Sequence, residues 1–139
     1  MAGKFEELLK ELSVQLDSEF SIDQNKGCLI AFDENIKVQL ELDENQEYLI
    51  VFSIISAVPP GKFRENVLLS ALKENDKFPY VAAFGYLEKE NSLAMFNFLY
   101  LDSLNIDILT SYLAAFVDLA ALYQNDLLHG QTSPILKPV

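Results

Sequence analysis

His129 and Cys28 are the only histidine and the only cysteine in the chain. Hydrolysis through a Ser/His or Cys/His pair needs an imidazole held precisely enough to take a proton. His129 stands beside Gly130 at the start of a loose tail and reads as a surface residue near a helix end. Cys28 opens an apolar stretch and reads as a buried, inert thiol. Zinc takes three or four Cys, His or carboxylate ligands, which one Cys and one distant His do not supply. The acidic turns Asp33-Glu34-Asn35 and Asp43-Glu44-Asn45 lack the glycine and terminal glutamate of a calcium loop and read as solvated hairpin turns. Gly3, Gly27, Gly61, Gly85 and Gly130 are the only glycines, too scattered for a phosphate-cradling loop or a dinucleotide fingerprint. Among 21 acidic residues no carboxylate pair stands out for acid and base work. No catalytic, metal or cofactor-binding residue is therefore expected, and no cofactor.

Ten Lys and Arg against 21 Asp and Glu give a net charge of -11, and the pI is about 4.3. Such a field repels phosphate backbones and anionic bilayers, so neither nucleic acid nor membrane is an expected partner. No window reaches about 18 uninterrupted apolar residues; Tyr112 to Tyr123 comes nearest and carries Asp118. The start, Met1-Ala2-Gly3-Lys4-Phe5-Glu6-Glu7, has no apolar signal core. With one cysteine, the expected compartment is the cytoplasm.

A chain of 139 residues is one domain: residues 1–129 read as the folded unit and 130–139 as a flexible tail. From Gly3 to Asp17, Phe5, Leu8, Leu9, Leu12 and Leu16 fall within about 100° on a helical wheel. Cys28 to Asp33 and the alternating Ile36 to Leu42 read as a hairpin, and Tyr48 to Val58 as a central strand covered on both faces. Val58-Pro59-Pro60-Gly61 ends it, because proline cannot donate to a ladder. The helix from Phe63 to Leu72 spreads its apolar side chains over about 240°. Tyr80 to Leu87 and Leu93 to Leu101 form a second hairpin, apolar on both faces. A last helix near Ile106 to Leu127 has Asn105 or Ser103 as its cap. The order α-β-β-β-α-β-β-α gives an α+β fold with a mainly antiparallel five-stranded sheet and three helices.

Apolar residues make up 50% of the chain, more than one sheet with helices needs to bury. A homodimer crossing at Val67, Leu68, Ala71 and Leu72 is the expected shelter for part of the surplus. A compact monomer that hides every apolar face is the simpler alternative.

One ordered set of segments runs along the chain: Phe5-Glu6-Glu7-Leu8-Leu9-Lys10-Glu11-Leu12, Gly27-Cys28-Leu29-Ile30-Ala31-Phe32-Asp33 and the long third strand ending at Val58-Pro59. It continues through Leu68-Leu69-Ser70-Ala71-Leu72-Lys73-Glu74-Asn75, Gly85-Tyr86-Leu87, Leu99-Tyr100-Leu101 and Phe116-Val117. By this set the chain, from Phe5 to Leu127, resembles the class I chaperones of type III secretion, the Tir-chaperone family. Family members have a tryptophan late in the last helix, where this chain has Tyr123 nearby and no tryptophan. The resemblance implies a cytoplasmic, non-enzymatic homodimer. It would hold the N-terminal segment of one or more secreted effectors, partly unfolded and export-competent, without ATP. The secretion-apparatus ATPase or sorting components are admitted as further partners. The cargo surface it implies here is Phe5, Leu8, Leu12 and Leu16 on the first helix with Ile30, Val38 and Leu40 on the strands, each with a core reading beside it. The reading that competes with it is a small acidic α+β ligand-binding domain or carboxylate-based enzyme.

Overall fold

The computed structural model describes residues 3–16, 27–32, 36–75 and 81–130. The elements are α1 (Lys4–Gln15), β1 (Gly27–Ala31), β2 (Lys37–Leu42), β3 (Tyr48–Ala57), α2 (Lys62–Asn75), β4 (Ala83–Leu87), β5 (Ser92–Tyr100) and α3 (Ile106–Leu128), with a short 3₁₀ turn at Leu101–Ser103 before α3. Phe5, Leu8, Leu9 and Leu12 recur at three- and four-residue spacing, so α1 buries all four on one side. Asn105 is the cap of α3: its side-chain oxygen accepts the Ile108 N–H at 2.8 Å.

The strands form one antiparallel sheet in the order β1-β2-β3-β5-β4, with β3 in the middle as expected. At the β2–β3 turn the Asp43 carboxylate accepts the N–H groups of Glu47 at 2.8 Å and Tyr48 at 3.1 Å. Gln46 adopts φ 57° there. That bonding gives the acidic turn a structural role. The other acidic turn, residues 33–35, lies outside the described residues, as do residues 76–80, where the fourth strand was expected to begin, and the tail beyond Gly130.

Alternate strand residues turn to one face of the sheet, where Val38, Leu40, Leu49, Val51, Phe84, Leu93 and Met95 are buried with α1, α2 and α3. Tyr123 of α3 packs against Phe84 of β4, the rings tilted by 45° with centroids 4.6 Å apart. The Gln124 amide nitrogen donates to the Ile55 carbonyl at 3.0 Å, pinning α3 to β3. By length and composition alone, α3 is apolar enough to cross a bilayer, but seven of its side chains are buried in this core. Phe116 is fully buried at its centre. Phe116→Ala is expected to cost about 3–5 kcal/mol in urea denaturation, from lost transfer energy plus the cavity left behind.

One expectation is corrected. β3 is covered on one face only: Ile54 on the other face is 44% exposed. All three helices contribute to the inner core, so none is left for the outer face among the described residues.

Candidate functional site

The strand pairings carry side chains across the outer face in rows. Leu29 lies opposite Gln39, Gln39 opposite Phe52, Phe52 opposite Phe96, and Phe96 opposite Ala83. A neighbouring row runs through Glu41, Ile50 and Phe98. Two open depressions meet at Phe52. One, about 390 Å³, is lined by Leu29, Lys37, Gln39, Phe52, Ser53 and Ile54. The other, about 350 Å³, includes Ile50, Gly85, Tyr86, Ala94, Phe96 and Phe98. Phe98 is 57% and Leu29 56% exposed, which is uncommon for side chains of this size in a contiguous patch. Gly85 shapes the floor, since a Cβ there would come within 3.3 Å of the Phe96 ring.

The seven residues expected as cargo surface fall differently. Phe5, Leu8, Leu12, Ile30, Val38 and Leu40 are buried in the core of the chain itself, the position that the core reading of each describes. Period-2 and helical patterns identify an apolar face but do not say what covers it, and in β2 the apolar Val38 and Leu40 face the helices while Lys37, Gln39 and Glu41 face out. Leu16 alone is exposed, at 38%. It borders a groove of about 220 Å³ between α1 and α3 with Leu12, Phe32, Leu113, Ala114 and Val117. The outer-face residues Leu29, Ile50, Phe52, Ile54, Phe96 and Phe98 were missed. For the five on β3 and β5 the signal was the apolar character of those strands on both faces, which periodicity alone could not assign to inside or outside.

Of the four residues expected at a dimer crossing, Val67 and Ala71 are buried within the protomer, Leu68 is half-buried and Leu72 is 66% exposed. Leu68, Ala71 and Leu72 border a depression of about 160 Å³ completed by Phe84, Gly85, Tyr86 and Leu93. A polar clamp holds this end of the sheet. Arg64 of α2 donates to the Tyr86 hydroxyl at 2.8 Å and to Asn91 Oδ1 at 3.3 Å, and its guanidinium lies 5.4 Å from the Tyr86 ring centroid. Asn91 sits in the turn at φ 49°, a conformation its side chain tolerates.

Tyr112 is the titratable group whose environment departs most clearly from water. Burial pushes its pKa up to about 12, against a hydrogen bond with Asn97 that lowers it. Its hydroxyl donates to the Val81 carbonyl at 2.5 Å. Because the folded value lies above the unfolded one, near 10, the protonated phenol favours the fold fully below pH 10, and this contribution is lost as pH rises toward 12. Stability between pH 9 and about 12 should therefore fall more steeply in the native chain than in Tyr112→Phe. Parallel chemical denaturation series check this. No group of three or more metal-ligating side chains occurs among the described residues.

The sequence matches the profile of the Tir chaperone protein (CesT) family over residues 7–122. The chain belongs to the Tir chaperone protein family. No curated protein matches it in sequence. Solved structures share the fold of this Tir-chaperone family chain at low identity. One is a chain of the HopA1–SchA chaperone–effector complex, with TM-score 0.72, 17% identity, and 88% of this chain and 94% of that one covered. A chain of the ExsC–ExsE complex gives TM-score 0.73 at 23% identity, covering 88% and 92%. The Yersinia pestis type III secretion chaperone SycH, in complex with a fragment of YscM2, gives TM-score 0.67 at 19% identity, covering 83% and 95%. The family placement and these neighbours agree with the α+β fold of five antiparallel strands and three helices.

Proposed function

We propose that the chain is a cytoplasmic, non-enzymatic type III secretion chaperone that acts as a homodimer and holds an extended segment of a secreted effector in an export-competent state. The observation that carries this reading is the outer face of the sheet, apolar and uncovered from Leu29 through Phe52 to Phe98, in a chain of the Tir chaperone family. The relatives of known structure include a chaperone–effector complex and a type III secretion chaperone bound to a protein fragment. An extended polypeptide suits shallow, elongated depressions because main-chain bonds supply affinity while alternate side chains enter pockets. A small-ligand enzyme would instead call for an enclosed pocket with converging acids, and these depressions are open and mostly apolar.

The second apolar surface, Leu69 and Leu72 exposed on α2 beside the half-buried Leu68, suits a twin copy, and the net charge of -11 keeps such a greasy protein dispersed. The test is co-purification of the tagged chain from its native cell, followed by deletion of its gene. A captured protein that loses secretion and intracellular persistence on deletion supports the reading. If every captured protein is secreted normally without the chain, the reading fails.

A further inference from the structure

Alternation puts Lys37, Gln39 and Glu41 of β2 on the outer face of the sheet. Among the described strand residues of that face, Glu41 is the one acid and Lys37 the one base. They stand at opposite ends of the strand, about 14 Å apart. Glu41 is half-buried, and among the described residues its carboxylate has no ion pair or hydrogen bond.

Its neighbours are aromatic. Ile50 lies opposite Glu41 on β3 and Phe98 opposite Ile50 on β5, and two residues along the same face Tyr48 pairs with Tyr100. The Tyr48 and Tyr100 ring centroids are 5.8 Å apart, the rings tilted by 55°. Tyr48 is 40% and Tyr100 50% exposed. Backbone bonds hold this corner in place before anything binds. The Asp43 carboxylate fixes the turn that leads into Tyr48, and the Leu101 N–H donates to the Glu47 carbonyl at 2.9 Å, tying the Tyr100 end of β5 to the start of β3.

Glu41 and Phe98 are two strand spacings apart, about 10 Å, with the aliphatic Ile50 between them. A flat cation laid over Ile50 has the carboxylate on one flank and the aromatic rings on the other. Exposed rings attract a cation through their quadrupole. A guanidinium suits the place better than an ammonium, because it is planar and weakly hydrated, stacks on rings, and meets a carboxylate with a fork of two N–H bonds. The stem of an arginine covers Ile50 at the same time. At the far end of β2 the Lys37 ammonium repels the same group, which leaves one favourable placement.

We infer that Glu41, Tyr48, Phe98 and Tyr100 form a subsite for an arginine side chain of the bound effector segment, and that the opposed charges of Glu41 and Lys37 fix the end of the outer face at which it lies. This rests on the effector-binding reading and adds the side chain that the face selects. Charge complementarity commits the subsite to a cation.

The test uses the full chain and twelve-residue peptides alternating leucine with serine, in which one leucine near an end is replaced by arginine, lysine or citrulline. Citrulline keeps the shape of arginine without its charge. The arginine peptide should bind about tenfold more tightly than the citrulline peptide, with lysine between them, and should move the ring-proton signals of Tyr48 and Tyr100 further. Glu41→Gln should cut the preference for arginine over citrulline to about threefold, and Tyr100→Leu should bring arginine level with lysine. Glu7→Gln, which removes the same charge from an exposed position on α1, should leave the tenfold preference intact. Equal binding of the arginine and citrulline peptides, binding of none of the three, or an equal loss of preference in Glu7→Gln and Glu41→Gln would overturn the inference. An effector fragment that is captured with the same affinity by the native chain, Glu41→Gln and Tyr100→Leu overturns the subsite while leaving the chaperone reading intact; absence of any effector dependent on the chain defeats that reading instead.

Discussion

Phe52→Asp is expected to lower effector affinity about a hundredfold, read by titration calorimetry with the co-purified effector fragment. Phe52 is the one side chain that borders both outer depressions, so a carboxylate there puts an unpaired charge wherever an apolar cargo side chain would lie. Burying a charge without a partner costs far more than losing one contact. The protein itself should tolerate the change, because Phe52 faces away from the helical core; the loss of its cross-strand pairing with Phe96 should cost about 1 kcal/mol. A drop in affinity matched by a collapse of the fold would remove the outer face as the explanation. Unchanged affinity in a folded variant would move the cargo surface elsewhere, with the groove between α1 and α3 as the next place to look.

Leu72→Asp should halve the mass seen by light scattering, from near twice 15.7 kDa to near 15.7 kDa. Leu72 is 66% exposed in the single chain, so little intramolecular packing is lost. In an isologous contact the substitution appears twice, placing two like charges in one desolvated patch, and a dimer weakened about a hundredfold is the expected result. Val67→Asp is a poor substitute for this test. Val67 is buried in the protomer, and its replacement would unfold the chain before it could report on association. A native chain that already scatters as a monomer would overturn the proposed dimer.

Element types and order were legible because the patterns differ in period. Phe5, Leu8, Leu9 and Leu12 repeat as a helix, Lys37 to Leu42 alternates as a strand, and the two prolines at 59 and 60 mark the stop between β3 and α2. The cap of the last helix could be narrowed to Asn105 or Ser103 because a short polar side chain at a helix start answers an unpaired N–H, and the structure selects Asn105. The candidate site was less legible. Val38 and Phe52 are both apolar strand residues, and only the pairing register and the placement of three helices decide that one faces the core and the other faces out. The apolar excess announced that surfaces would be left over, and the three-dimensional arrangement identifies which ones.

All three helices contribute side chains to one buried core with the inner face of the sheet, and among the described residues that core runs from Phe5 to Leu127 while Leu29, Ile54 and Phe98 on the opposite face stay exposed. Shedding whatever lies there therefore requires no refolding of the carrier. Each round of unloading returns the same competent molecule, so a small standing population could serve many successive passengers.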